Sequence, residues 1–179
     1  MTDFPRWIYY PTSEAPPEWV AEFVVVVGKA RDDIESAIAH DAALTSDIVL
    51  SYLQPGLEGL GYTVETAKTR AGKVRRPVLF GERATERVAF EVDAVHDALG
   101  VLVEVEAGRG AMGNAVYRDL IRTSLIVGAK YLALGVMTEY RYGKSGVTQS
   151  YRDSMALLDA IYASGRLRFP FEGILLFGY

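Results

Sequence analysis

Cysteine is absent and histidine nearly so: His40 and His96 are the two copies in 179 residues. The first absence excludes disulfides, thiolate nucleophiles and zinc–thiolate clusters, and the second leaves too few imidazoles for a histidine-built metal centre. Any resident metal must then be held mainly by carboxylates, whose hard oxygens suit Mg²⁺, Mn²⁺ or Ca²⁺. Long apolar runs are missing too. The stretch 23–27, Phe-Val-Val-Val-Val, falls far short of the ~20 residues that cross a bilayer, so no membrane partner is expected. The opening segment has neither the basic stretch nor the apolar core of a secretory signal, which makes cytoplasmic residence the expectation. Positive charge is not in excess either. A formal net charge of −4 argues against broad coating of nucleic acid but leaves room for a local basic face.

What remains is a globular composition, half apolar and 23% charged, with no repeat, low-complexity tract or linker, and residues 1–179 read as one domain. Residues 15–39 open with Pro16-Pro17 and carry Trp19, Phe23, Val26 or Val27, Ala30, Ile34 and Ile38 at helical spacing, although the four valines at 24–27 also fit a strand. Thr45 or Ser46 caps a second helix running to about Leu60, which Pro55 is expected to kink or interrupt. Strands follow at 62–66 and 77–80, then at 87–95 and 100–106 as a hairpin. A helix over 112–127, a strand over 131–136, a helix over 150–163 and a strand over 173–177 complete the reading. The fold class is therefore α/β, a mixed sheet flanked by helices. Gly108, Gly110 and Gly113 loosely match a dinucleotide spacing, yet they follow a carboxylate-rich strand that would repel pyrophosphate.

The hairpin holds the chemistry. Side chains alternate faces along a strand, so Glu91 and Asp93 share one side, and Glu104 and Glu106 share one side opposite Val101, Val103 and Val105. Pairing the strands gathers these acids within a few ångströms. Like charges at that range repel, and desolvation beside valines makes ionisation costlier still. Three arrangements relieve the repulsion: a divalent cation, arginine partners, or a solvent-exposed sheet face. The following helix carries Asn114 and Arg118, four apart and able to reach one substrate group, with a guanidinium suited to phosphate. Residues 68–87 hold Lys68, Arg70, Lys73, Arg75, Arg76, Arg83 and Arg87 against Glu82 and Glu86, a basic segment suited to a phosphate backbone or to a solvated hairpin. The segment 140–144 mixes tyrosines with cations, as single-strand binders and surface turns both do.

The order helix, three strands, helix, strand over residues 44–136, with Val92-Asp93 and then Glu104-Val105-Glu106, resembles the PD-(D/E)xK nuclease superfamily. The resemblance implies a restriction endonuclease-like fold with an αβββαβ core. It implies Asp93 and Glu104 as ligands of Mg²⁺ (or Mn²⁺), with Glu106 in the slot usually held by lysine, as base or further ligand. Val92 replaces the proline, and some type II restriction endonucleases of this superfamily carry glutamate in the lysine slot. Lys68 or Lys73, on a neighbouring loop, can stand in for the lysine, and Glu58 matches a position where an additional acid joins the metal. The implied activity is metal-assisted phosphodiester hydrolysis, with DNA as the expected partner, contacted by Lys73, Arg75, Arg76, Asn114 and Arg118. A homodimer follows from the need for two cuts. The alternatives are a catalytically inactive binding or assembly module of the same fold, and a structural Ca²⁺ site in an interaction domain.

Overall fold

Residues 101–106 alternate valines with Leu102, Glu104 and Glu106, which sorts one strand's side chains between two faces; in the computed structural model both faces are covered by helices. The structure describes residues 4–37, 44–108, 114–142 and 146–179. Most of the Gly108–Gly113 spacing, part of the 140–144 segment, Ile38 and His40 lie outside the described residues.

The chain begins with β1 (Arg6–Tyr10) and α1 (Glu18–Lys29). Trp19, Val20, Phe23 and Val27 form the buried stripe of α1, the spacing that turns one helical face to a core. The expected single helix over 15–39 breaks at Ala30, whose N–H bonds back to Val27 O at 3.2 Å. A short α2 (Arg31–Ile34) then points Ile34 into the core. In α3 (Ser46–Gly59) the Thr45 hydroxyl accepts from Ile48 N–H, a cap that stabilises a helix start by about 1 kcal/mol. Helix α3 runs on through Pro55 rather than stopping there. Leu53 and Leu57, both fully buried, hold the turns on either side against the sheet, each contributing about 1.5–3 kcal/mol.

Next come β2 (Thr63–Val64), β3 (Val74–Phe80), β4 (Glu86–Val92), β5 (Ala94–His96) and β6 (Val101–Glu106). Then follow α4 (Ala115–Ser124), β7 (Tyr131–Val136), β8 (Tyr140–Tyr142), β9 (Gly146–Thr148), α5 (Ser150–Ser164) and β10 (Gly173–Gly178). The central sheet has the order β1-β10-β7-β6-β5-β2. Strands β10, β7 and β6 run parallel, and β1, β5 and β2 pair antiparallel. The expected strand over 87–95 is two strands. Its first part, β4, pairs with β3 in a separate ribbon, and its second part, β5, joins the sheet.

One face of the sheet, with Val101, Val103, Val105 and Phe177, packs under α1 and α3. The other, with Leu102, Leu132, Leu134 and Leu176, packs under α4 and α5. Period-two alternation places Glu104 and Glu106 on the second face with Leu102, beneath α4. On the first face, Gly135 of β7 makes room for the Phe177 ring; a Cβ would stand 2.4 Å from its Cζ. Among the described residues no helix is long and apolar enough to cross a membrane.

Candidate functional site

The chain leaves the β3–β4 ribbon for the central sheet at Asp93. Its carbonyl accepts from Glu65 N–H at 2.7 Å, and its Oδ2 accepts from Val105 N–H at 2.7 Å. The Asp93 carboxyl is thereby fixed against β6, beside Glu104. Glu104 is buried on a strand covered on both faces, so a screened, solvent-facing sheet does not explain the acids. Tyr179 fastens the end of β6, its hydroxyl donating to Glu106 O at 2.9 Å.

A further acid comes from α4. Asp119 lies on the buried stripe with Val116, Leu120 and Thr123, and this stripe faces β6. Arg118 Nε donates to Asp119 Oδ1 at 3.1 Å, and Arg118 Nη2 donates to the Glu106 carboxylate. Asp119 Oδ2 is buried without a donor among the described residues. Arg122, one turn on, has its guanidinium 5.2 Å from the Phe90 ring centroid. Across the cavity Lys73 Nζ donates to Glu65 Oε1 at 2.7 Å and lies 3.6 Å from Glu91 Oε2.

These groups line a polar cavity of about 200 Å³, with Ser46, Asp47 and Lys68 at its rim. Seven carboxyl groups face four cations, so the cavity keeps an excess of negative charge. The titration behaviour follows. Burial pushes Asp93 up to about 6, opposed by the Val105 N–H and aided by Glu65 and Asp119. Burial likewise raises Glu104 well above the ordinary carboxylate range, with Asp93 and Asp119 adding repulsion and Arg122 offsetting it. Glu106 is pushed up to about 8 by burial and then by the Asp119 carboxyl, against Arg118. Lys73 is raised by its bond to Glu65. Carboxyl groups under this much mutual repulsion hold protons or a cation.

The donor set fits a hard divalent ion. The acids supply oxygen only, Asp119 Oδ2 is an orphaned buried acceptor, and no thiol or imidazole competes. Among the described residues, however, no three acids or histidines stand close enough to form a ready-made cage. The arrangement is one of pairs, with a guanidinium between two of the acids. Where they bind an ion, Asp93, Glu104, Glu106 and Asp119 are the residues that would hold it. A larger groove of about 710 Å³ runs between α1 and α3, past Val25, Val26, Tyr52 and Gly56. Its walls are largely apolar, and none of the expected site residues lines it.

Several expected site residues stand elsewhere. Glu58 is exposed and bonded to Gln54 Nε2 at 2.7 Å, away from the cavity; it follows Leu57 by one residue, which turns it off the buried face. Arg76 is held by Asp97 through two bonds of 2.9 and 2.6 Å, and Arg75 stands 3.5 Å from Glu86. Lys73 turns into the cavity rather than out toward a backbone. Asn114 precedes α4 with φ 60° and gives its carbonyl to Arg118 N–H, outside the cavity lining. Arg118 is in the site but spent on acids. Arg70, Arg83 and Arg87 are exposed and make no ion pair among the described residues. His96 ends β5, its Nδ1 accepting from Leu99 N–H of the following turn and its ring edge-on to Tyr62.

Three contributors are assigned no role by the sequence: Asp119, Glu65 and Arg122. For Asp119 a signal existed, since it falls among Val116, Leu120 and Thr123 on the apolar stripe of a helix. Comparison with family models, curated proteins and solved structures finds no match for the chain.

Proposed function

We propose that the chain is a divalent-metal-dependent nuclease of restriction endonuclease-like fold that hydrolyses phosphodiester bonds, with DNA as substrate. The observation that carries this is the convergence of Asp93, Glu104, Glu106 and Asp119, from a strand junction, a strand and a helix, on one polar cavity. The succession α3, β2, β5, β6, α4, β7 supports it. Strands β2, β5 and β6 pair antiparallel in sequence order and β7 lies parallel to β6, the αβββαβ order of the resemblance.

A bound divalent ion supplies Lewis acidity to the phosphate and acidity to a coordinated water. The chain's own groups do the rest. Asp93 and Glu104 would hold the ion, and the Val105 N–H fixes the orientation of Asp93. Glu106, beside them, would take the proton of the attacking water or join the ligands of the ion. Lys73 Nζ, anchored by Glu65, keeps a positive charge at the cavity wall. Arg122, set against Phe90, balances the acids from the α4 side. DNA is contacted by the exposed Arg70, Arg83 and Arg87 of the basic segment, and two copies of the chain serve the two strands.

Supercoiled plasmid and short duplexes incubated with Mg²⁺ or Mn²⁺ test the reading. Cleavage that disappears in Glu104→Gln supports it. A specific observation favours a second reading, an inactive module of the same fold: the Arg118 guanidinium already lies between Glu106 and Asp119. Duplex binding without cleavage under either ion would select that module.

A further inference from the structure

Helix α4 brings the cavity an acid that neither strand supplies, and a cation to cover it. Asp119 and Glu106 face one another across Arg118, whose side chain is 55% exposed where those of Glu106 and Asp119 are 17% and 1%. The guanidinium therefore reaches the two acids from the solvent side. It satisfies one oxygen of each and leaves Asp119 Oδ2 enclosed without an N–H or hydroxyl donor, to be served by a proton shared with Glu106 or by a cation. A buried carboxylate oxygen without a partner is costly, so the arrangement under-serves Asp119. A side chain that stays half in water gives up its ion pairs readily, because solvent replaces them. A compact doubly charged ion can approach both carboxylates more closely than a planar guanidinium tethered to the neighbouring residue of the same helix.

We infer that Glu106 and Asp119 form a cation position of their own, and that Arg118 is its resident substitute. A divalent ion such as Mg²⁺ or Mn²⁺ binds between the two carboxylates and displaces the guanidinium toward the cavity mouth, where it is free to meet a phosphate. The inference rests on the metal-dependent reading above. It adds a helix residue to the ligand set and an exchange between protein cation and metal ion.

The test is calorimetric titration of the full chain with Mn²⁺, without nucleic acid, on the wild type, Asp119→Asn, Glu106→Gln and Arg118→Ala. The wild type should take up ions at the Asp93–Glu104 end and at the Glu106–Asp119 end. Asp119→Asn should lose the second event or weaken it by about tenfold or more, as loss of metal-supporting groups does. Arg118→Ala should tighten that event by about tenfold, since removing a competitor raises the fraction of competent sites. If Asp119→Asn unfolds, the less buried Glu106→Gln carries the same expectation, and the exposed Arg118→Ala is read independently. Wild-type binding that is indifferent to Asp119 and weakened or unmoved by Arg118→Ala overturns this inference and leaves metal-dependent cleavage standing. No Mn²⁺ uptake by the wild type overturns both.

Discussion

Asp93 and Val105 are joined by a 2.7 Å bond from backbone N–H to carboxylate, so a side chain of one strand occupies a donor on the next. A single acid is thereby both a ladder element and a candidate metal ligand. Asp93→Asn should keep the shape but lose charge, and Asp93→Ala should lose both. Cleavage should fall by about 100-fold or more in each, the scale of removing a preorganised electrostatic group. Thermal unfolding should separate them, with Ala the less stable. Equal stability of the two variants would deny the structural half of this role.

Stability without metal should depend on pH in a defined sense. Folded Asp93 and Glu106 titrate at about 6 and about 8, above their ordinary values, and Glu104 is also raised. An acid with a raised folded pKa holds its proton more tightly in the native state. Its contribution is fully present below the ordinary carboxylate range and is lost as pH climbs through the folded value. In EDTA, Tm should therefore fall between pH 5 and pH 8.5, at about 2–4 °C per kcal/mol for a domain of this size. Glu106→Gln should flatten the upper part of that slope. Added Mn²⁺ should restore Tm most at the alkaline end, and a pH-independent Tm in EDTA contradicts the account.

Arg83→Ala with Arg87→Ala should weaken duplex binding and reduce the salt slope by about one for each phosphate left without its cation. Arg76→Ala should leave the slope unchanged, because Asp97 already holds that guanidinium. Fluorescence anisotropy across a salt range of about 50 to 200 mM gives both slopes, and equal effects of the two changes would reject the assignment.

Tyr117 and Ile121 on α4, and Leu125 that caps its end, recur every fourth residue and are about half exposed, on the side away from Val116, Leu120 and Thr123. We predict that a second copy covers this stripe. Ile121→Asp should shift sedimentation from dimer to monomer while the far-UV spectrum is retained. A wild type that sediments as a monomer at high micromolar concentration would remove the stripe from the functional argument.

The hairpin acids were legible in the sequence because charges set among valines at period two can only be read in a few ways. A cap at Thr45 or Ser46, the buried strands at 131–136 and 173–177, and the mixed sheet were legible for similar local reasons. Edge strand β1 was not, since its partner, β10, lies at the other end of the chain. Arg76 looked free because the Asp97 that binds it lies 21 residues away. Glu58 was misplaced by one step around a helix. Asp119 carried a visible anomaly, a charge on an apolar stripe, whose meaning depends on which strand face lies beneath it.

The β3–β4 ribbon ends where Asp93 begins, and Val127 N–H ties Pro77 O to the segment after α4. A pull on the ribbon reaches the acid fixed against β6 through that junction, while the Val127–Pro77 bond and the Arg122–Phe90 contact carry it to α4 and the segment after it. Capture and cutting would then be mechanically joined. A duplex that bends the ribbon would reset the geometry of the centre before any bond is broken, and substrates could be told apart by how they flex.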